Sequence, residues 1–315
     1  MNRKRAAKCS QVACLVAQAA TKRLYHIVGE PGGNFARPFP YARMRWLSGP
    51  SLVQYFLFVF IYTRLKALVI IPTFNEAENI GPLIESLLSL DIGLHVLAVD
   101  DNSPDGTGAI VTELARSPPQ VHLKQRLQKM GLGTAYTAGF EFALERGYDR
   151  VLTMDADFSH NPRYVPLLVD LSERYDLSIG SRYVSGGGVR LWGMHRRALS
   201  RGANLLARLL LGLHAHDCTA GFRCYRTEVL RVIDPTSIRA HGYSYLIEMI
   251  WRIESAGFTV AETPIVFTDR RRGASKISSN EILKAGSTIV RLAFTPHHKA
   301  PVAQPTVVSN ENSPI

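Results

Sequence analysis

Two carboxylates, Asp155 and Asp157, stand two residues apart directly after the apolar run 151–154. If extended chain persists through them, that spacing puts both on the same side. Oxygen donors of this kind suit a hard divalent cation that keeps places open for phosphate oxygens. A solvated, Asp-rich turn is the plain alternative. Comparable groups follow two earlier apolar runs: Pro72, Phe74 and Glu76 after 67–71, then Asp100 and Asp101 after 94–99. A carboxylate such as Asp101 can accept from hydroxyls or a base N–H. Farther on come Arg182 and the cationic run Arg270-Arg271-Arg272-Gly273-Ala274-Ser275-Lys276. The planar fork of arginine matches phosphate bidentately, and lysine supplies a point charge. Metal-binding carboxylates together with arginines suit a diphosphate.

The elements that must position these groups alternate. Residues 67–71, 94–99, 121–124 and 151–154 read as strands. Between them, 77–90 carries Ile80, Leu83, Ile84, Leu87 and Leu88 on one helical stripe. A second helix ends by 116 and a third covers 131–146. Strands alternating with helices of this length predict β-α-β units and a mainly parallel sheet. Such sheets bind ligands beyond the carboxyl ends of their strands, so the three acidic clusters should converge on one crevice. After Pro162 the pattern gives a helix to 175, a strand at 176–179, a glycine loop at 186–188 and a helix at 198–213. The last of these is amphipathic, with Leu199, Leu205, Leu206, Leu209 and Leu210. It is expected to face the core, with membrane contact as the alternative. Helices at 244–256 and 280–294, with one or two strands in 260–267, complete the pattern.

Several classes fall away. No G-x-x-x-x-G-K-[ST] run occurs and no G-x-S-x-G elbow, which removes P-loop nucleotidases and the usual α/β hydrolases. The glycines of 131–139 follow the third strand and do not spell G-x-G-x-x-G, so a helix packed closely on the sheet is the better reading. Residues 1–45 hold nine Lys/Arg against the single acid Glu30, which is +8 of the net +11. The body after residue 45 is therefore only +3, and nucleic acid is not an expected partner. Cys9, Cys14, Cys218 and Cys224 form no C-x-x-C pair, which fits a reduced environment. The apolar run 52–62 is eleven residues long, whereas a bilayer span takes roughly 20. Residues 1–64 are expected to form a basic arm outside the fold, 65–294 one domain, and 295–315 a disordered tail.

In this order the motifs resemble family 2 glycosyltransferases of the GT-A fold, and within them the dolichyl- or polyprenyl-phosphate mannose synthases. The matching runs are VIIPTFNEAENI (69–80), VDDNSPDGT (99–107), GLGTAYTAG (131–139), MDADFSHNP (154–162) and GSRYVSGG (180–187). SRGAN (200–204), TAGFRCYR (219–226) and RRGASK (271–276) continue the match. The resemblance implies an α/β, Rossmann-like, mostly parallel sheet flanked by helices in a single domain. It implies transfer of mannose from GDP-mannose to dolichyl or polyprenyl phosphate, with inversion and with Mg²⁺ or Mn²⁺. Pro72, Phe74, Glu76, Val99 and Asp101 match the guanosine pocket. Asp155, Ala156 and Asp157 match the metal and diphosphate motif, and Ser159 stands where some members have a glutamine in the metal shell. Arg182, Arg270 and Lys276 match cations around the donor and acceptor phosphates, and Asp155, Asp157 and Arg182 are the expected catalytic set. The implied setting is the cytosolic membrane face, with a membrane-anchoring partner subunit. A UDP-sugar donor (glucose or an N-acetylhexosamine) and a non-catalytic nucleotide-binding subunit are the alternatives.

The chemistry fits the residues. A polyprenyl phosphate is already anionic at neutral pH, so the nucleophile needs no strong base. The barrier lies in separating the diphosphate from an oxocarbenium-like sugar, which a metal and cations would ease. His160 is expected to be structural or phosphate-contacting.

Overall fold

The computed structural model describes residues 65–240, 242, 244–269, 279–295 and 306–307. The arm at 1–64, including the apolar run 52–62, lies outside them, as do Arg270 and Lys276.

The strand and helix patterns become β1 (Ala67–Thr73), α1 (Ala77–Leu88), β2 (Leu94–Asp100), α2 (Thr107–Leu114), β3 (Val121–Gln125), α3 (Leu132–Glu145) and β4 (Arg150–Thr153). A 3₁₀ turn (Pro162–Tyr164) leads into α4 (Val165–Leu171), followed by β5 (Leu177–Ser181), β6 (Gly188–Arg190) and α5 (Met194–Leu211). Then come β7 (Arg223–Arg226), α6 (Thr227–Ile233), α7 (Ser244–Ser255), β8 (Val260–Pro264), β9 (Val266–Thr268), α8 (Ser279–Ala293) and β10 (Thr306–Val307). The main sheet runs β10-β8-β5-β7-β4-β1-β2-β3, and β6 pairs with β9 in a small second sheet. Every pairing in the main sheet is parallel except those of β7 with β4 and β5. The tail expected to be disordered thus supplies one short edge strand, and its other residues past 295 lie outside the described ones.

Alternation along the strands splits the core in two. Val69, Ile71, Val96, Ala98 and Leu152 face one way, onto Ile80, Leu83, Ile84 and Leu87 of α1 and Val165 and Leu168 of α4. Leu68, Ile70, Leu97, Val99 and Val151 face the other way, onto α3, α6 and α7. Both faces are covered, as a parallel sheet requires.

Gly139 explains the glycine run. A Cβ there would sit 2.6 Å from Cγ2 and 2.7 Å from Cδ1 of Ile70, so α3 rests directly on β1. Gly139→Ala is expected to cost about 1–3 kcal/mol by overpacking. A lower urea midpoint at unchanged m-value would show it.

The amphipathic helix runs differently from expectation. Asn204, Ala207 and Leu211 of α5 are buried, whereas Leu199, Leu205, Leu206, Leu209 and Leu210 are 47–73% exposed. The leucine stripe faces outward, and the core takes Asn204, Ala207 and Leu211. Periodicity reveals that a helix has two faces but not which one the sheet receives.

Candidate active site

β1 lies between β2 and β4, so the three acidic clusters end side by side. Register pairs Pro72 with Val99 and Thr73 with Asp100, and Ile70 with Thr153 on the other flank. Beyond β1 and β2 the chain is tied down by its own polar groups. Thr73 Oγ1 donates to Asp100 Oδ1 (3.0 Å), and the Ser103 amide donates to Asp100 Oδ2 (3.0 Å). Asp105 accepts from the amides of Ala77 and Thr107, both at 3.0 Å. Half-buried Phe74 carries the Lys129 ammonium 4.2 Å above its ring centroid, and Glu76 Oε2 accepts from Asn79 Nδ2 (3.0 Å).

Asp101 has a task that the sequence did not suggest. It is buried and forms an ion pair with the guanidinium of Arg126, whose Nε also donates to it. Its other oxygen accepts from the amides of Met130 (3.2 Å) and Gly131 (3.4 Å). Those donors take up the acceptor capacity expected to serve a ligand hydroxyl or base. Asp101 therefore anchors the segment between β3 and α3, and Arg126 further holds Thr134 Oγ1 (2.7 Å) and the Gly131 carbonyl (3.2 Å). Arg126 sits one residue past β3, where the strand-end logic applied to the carboxylates would also have found it.

The pair Asp155 and Asp157 lies just past β4, which ends at Thr153. Both therefore stand outside the strand, and the chain turns directly after Asp157, with Phe158 at φ 59°. The Ser159 amide (3.1 Å) and hydroxyl both donate to Asp157 Oδ1. The hydroxyl is thereby committed to orienting Asp157. Ala156 is buried behind the turn, Asp155 is partly exposed and Asp157 is 8% exposed. His160 Nδ1 accepts from the Asp155 amide (3.2 Å), which leaves its ring proton on Nε2. The ring stacks on Phe222 with centroids 5.0 Å apart, and burial holds its pKa below the ordinary value against the pull of Asp155 and Asp157. His160 is a neutral wall of the turn.

Arg182 follows β5 and is 9% exposed. Its Nε and Nη2 meet the two oxygens of Asp217 at 2.8 and 2.7 Å, and Nη2 also reaches Thr219 Oγ1 (2.8 Å). Burial favours loss of its proton, but the Asp217 carboxylate more than offsets this and raises the pKa. Conversely, burial would raise Asp217 and the Arg182 charge holds it below the carboxylate range. Asp155 contributes to the field on Arg182, so the guanidinium belongs to the electrostatic surroundings of the acidic turn. On its other side Arg182 lines a cleft of about 430 Å³ with Arg201, Asn204, Arg208 and His216.

Among the described residues no three His, Cys, Asp or Glu side chains form a ready metal cage. The donor chemistry nevertheless fits Mg²⁺ or Mn²⁺. Two carboxylates stand on one turn, and such ions take one or two carboxylates and complete their shell with water and substrate phosphate. Asp155 and Asp157 would hold the ion, with Ser159 orienting Asp157. β9 is tied to this turn, since the Thr268 amide donates to the Ser159 carbonyl (3.2 Å).

The structure thus brings Pro72, Phe74, Glu76, Val99, Asp101, Asp155, Ala156, Asp157 and Ser159 to neighbouring strand ends, with Arg182 placed by β5. Sequence reasoning missed Arg126 and Asp217.

The family model described as glycosyl transferase family 2 matches residues 68–234. A polyprenol monophosphomannose synthase of Mycolicibacterium smegmatis is 48% identical over 222 residues, covering 70% of this chain and 84% of that protein. An undecaprenyl-phosphate mannosyltransferase of Micrococcus luteus is 41% identical over 227 residues, covering 72% and 93%. Among solved structures, glucosyl-3-phosphoglycerate synthase of Mycobacterium tuberculosis with Mn²⁺, UDP and glucosyl-3-phosphoglycerate superposes with a TM-score of 0.53 at 19% identity. That superposition covers 76% of this chain and 89% of the other. The same enzyme with Mg²⁺ and UDP gives a TM-score of 0.54 at 19% identity, covering 74% and 81%. These two likenesses speak for the fold, the GT-A arrangement expected from the motifs. With motifs, sheet order and family match in agreement, the chain belongs to glycosyl transferase family 2.

Proposed function

We propose that this glycosyltransferase moves mannose from GDP-mannose to the phosphate of a polyprenol, inverting the anomeric carbon. The observation that carries this is that the Asp155–Asp157 turn and Arg182 both follow the carboxyl ends of strands in one sheet, β4 and β5. Its weight comes from a chain 48% identical to a polyprenol monophosphomannose synthase. A phosphate oxygen of the acceptor attacks the anomeric carbon as the bond to the diphosphate oxygen breaks, and GDP departs with that electron pair. The acceptor oxygen carries no proton, which agrees with a neutral, buried His160 and no base at the turn. A divalent cation, when bound, supplies positive charge to the departing diphosphate. Asp155 and Asp157 hold that charge in place, and Arg182, fixed by Asp217, presents cationic charge between turn and cleft. Asp101 enters the nucleoside pocket through Arg126 and the backbone of 130–131, beside Phe74 and Pro72.

The test is transfer itself. Labelled GDP-mannose, a short polyprenyl phosphate and Mg²⁺ or Mn²⁺ should put label into lipid, and no transfer with any divalent ion would refute the proposal. GDP should raise the melting temperature more than UDP; the reverse order would move the donor to a UDP-sugar.

No helix among the described residues is long and apolar enough to cross a membrane. Access to a lipid acceptor instead has support from α5, whose exposed leucines are flanked by Arg196, Arg197, Arg201 and Arg208 without one acid in the helix. Leucines beside arginines suit an anionic membrane surface. Leu206→Glu with Leu209→Glu should weaken sedimentation with anionic vesicles by about tenfold per leucine. Because both side chains are exposed, folding and GDP binding should persist. Unchanged sedimentation would shift attachment to residues outside the described ones or to an anchoring partner subunit.

A further inference from the structure

The loop between α5 and β7 carries a run of backbone amides that no helix or strand satisfies, and buried amides need acceptors. Four consecutive N–H groups end on two carboxylates. His214 and Ala215 donate to Glu254 of α7 at 2.8 and 3.0 Å, and His216 and Asp217 donate to Glu262 of β8 at 2.7 and 3.0 Å. Glu254 is 4% exposed and Glu262 fully buried, in a strand that is buried throughout. A carboxylate in such a place is costly unless fully paired. Glu254 Oε2 also meets His214 Nδ1 (3.2 Å), but His214 is not among the residues that line the cleft, so for Glu254 clamping the loop is a sufficient account.

Glu262 does more. The oxygen that receives the His216 amide also receives His216 Nδ1 at 2.8 Å. The residue whose amide it takes on its other oxygen, Asp217, faces Arg182 with both carboxylate oxygens and accepts the Arg182 amide as well (3.0 Å). Arg182 and His216 both line the 430 Å³ cleft. In the β5–β8 register Glu262 lies opposite Ile179, three residues before Arg182, so the same strand that carries Glu262 also supports the strand that delivers Arg182. One buried carboxylate therefore touches the His216 side chain directly and reaches the Arg182 side chain through Asp217, and both line the cleft.

We infer that Glu262 is a positioning residue for the acceptor phosphate, setting the Arg182 guanidinium through Asp217 and the His216 imidazole directly. The inference rests on the polyprenyl-phosphate reading of the cleft. It is tested on the full chain by equilibrium binding of a short polyprenyl phosphate, with GDP binding measured alongside. Glu262→Gln keeps the shape but turns an NH₂ toward one of the donors that the carboxylate accepted. The expected result is about tenfold weaker lipid-phosphate binding, with GDP affinity within about twofold. Glu254→Gln removes a clamp from the same loop and should lower the melting temperature without weakening lipid-phosphate binding. Added to Arg182→Lys, Glu262→Gln should cost less than it does alone, because only the share that runs through His216 remains. Should Glu262→Gln not fold, Asp217→Asn, one bond nearer Arg182, takes its place with the same expectation.

Unchanged lipid binding in Glu262→Gln, an equal loss in Glu254→Gln, or full additivity with Arg182→Lys would each overturn the inference. A wild-type chain that binds the lipid phosphate without transferring mannose would sink the proposed function and leave Glu262's role standing. One that binds no lipid phosphate would sink both.

Discussion

Asp157→Asn should lower mannosyl transfer by about 10³-fold while the fold stays intact. The size follows from the several kcal/mol that a bound cation supplies to a departing diphosphate, each 1.4 kcal/mol being about tenfold. The selectivity follows from the turn. Asp157 Oδ1 accepts from the amide and hydroxyl of Ser159, and an asparagine carbonyl can accept the same two bonds. The substitution therefore changes charge and the second oxygen, not the path of the backbone. Transfer should be followed across a Mn²⁺ titration together with the melting temperature. A loss that high Mn²⁺ partly restores would place the defect in cation affinity. Full activity would remove Asp157 from the metal's shell and with it the proposed arrangement.

The half of the sheet formed by β1 to β4 is legible in the sequence because its strands follow simple rules. β1 to β4 are short apolar runs that end in polar groups, and their observed limits differ from the expected ones by two residues or fewer. β7 was not legible. It is four residues, Arg-Cys-Tyr-Arg, and the side chain of Arg223 is fully buried, donating to the carbonyls of Cys218 (2.8 Å) and Leu246 (3.1 Å). A buried arginine held by carbonyls outside its own strand breaks the alternation that marks a strand. The site shows the same division. Residue types singled out Asp155, Asp157 and Arg182 as candidates, because metal and phosphate chemistry limits the choice. Ser159 holds Asp157 within one turn, but Arg126 on Asp101 and Asp217 on Arg182 depend on contacts between segments that sequence spacing does not encode. The outward leucines of α5 belong with these, since a helix pattern carries no record of which face meets the sheet.

Asp217→Ala should destabilise the protein by about 3–5 kcal/mol, the range for removing one partner of a buried ion pair. Arg182 would keep its charge at 9% exposure with Thr219 as its remaining polar partner among those described, and with Tyr183, Trp192 and Phe267 rings 5.2–5.6 Å away. Ring faces offset only part of a desolvated charge. Urea denaturation reads the loss directly. The double variant Arg182→Met, Asp217→Leu separates what the pair does for the fold from what it does for phosphate. Replacing a buried pair by apolar side chains of similar volume is often neutral or stabilising, so the double variant should regain most of the stability lost by Asp217→Ala. It should not regain transfer, because the cation between the acidic turn and the cleft is gone. If the double variant is stable and transfers mannose at the wild-type rate, Arg182 is a structural arginine and the cleft's phosphate chemistry must rest on Arg201, Arg208 and His216 instead. If stability stays low, the pair's cost lies in packing around Trp192 and Phe267, and the electrostatic account of Asp217 fails on its own.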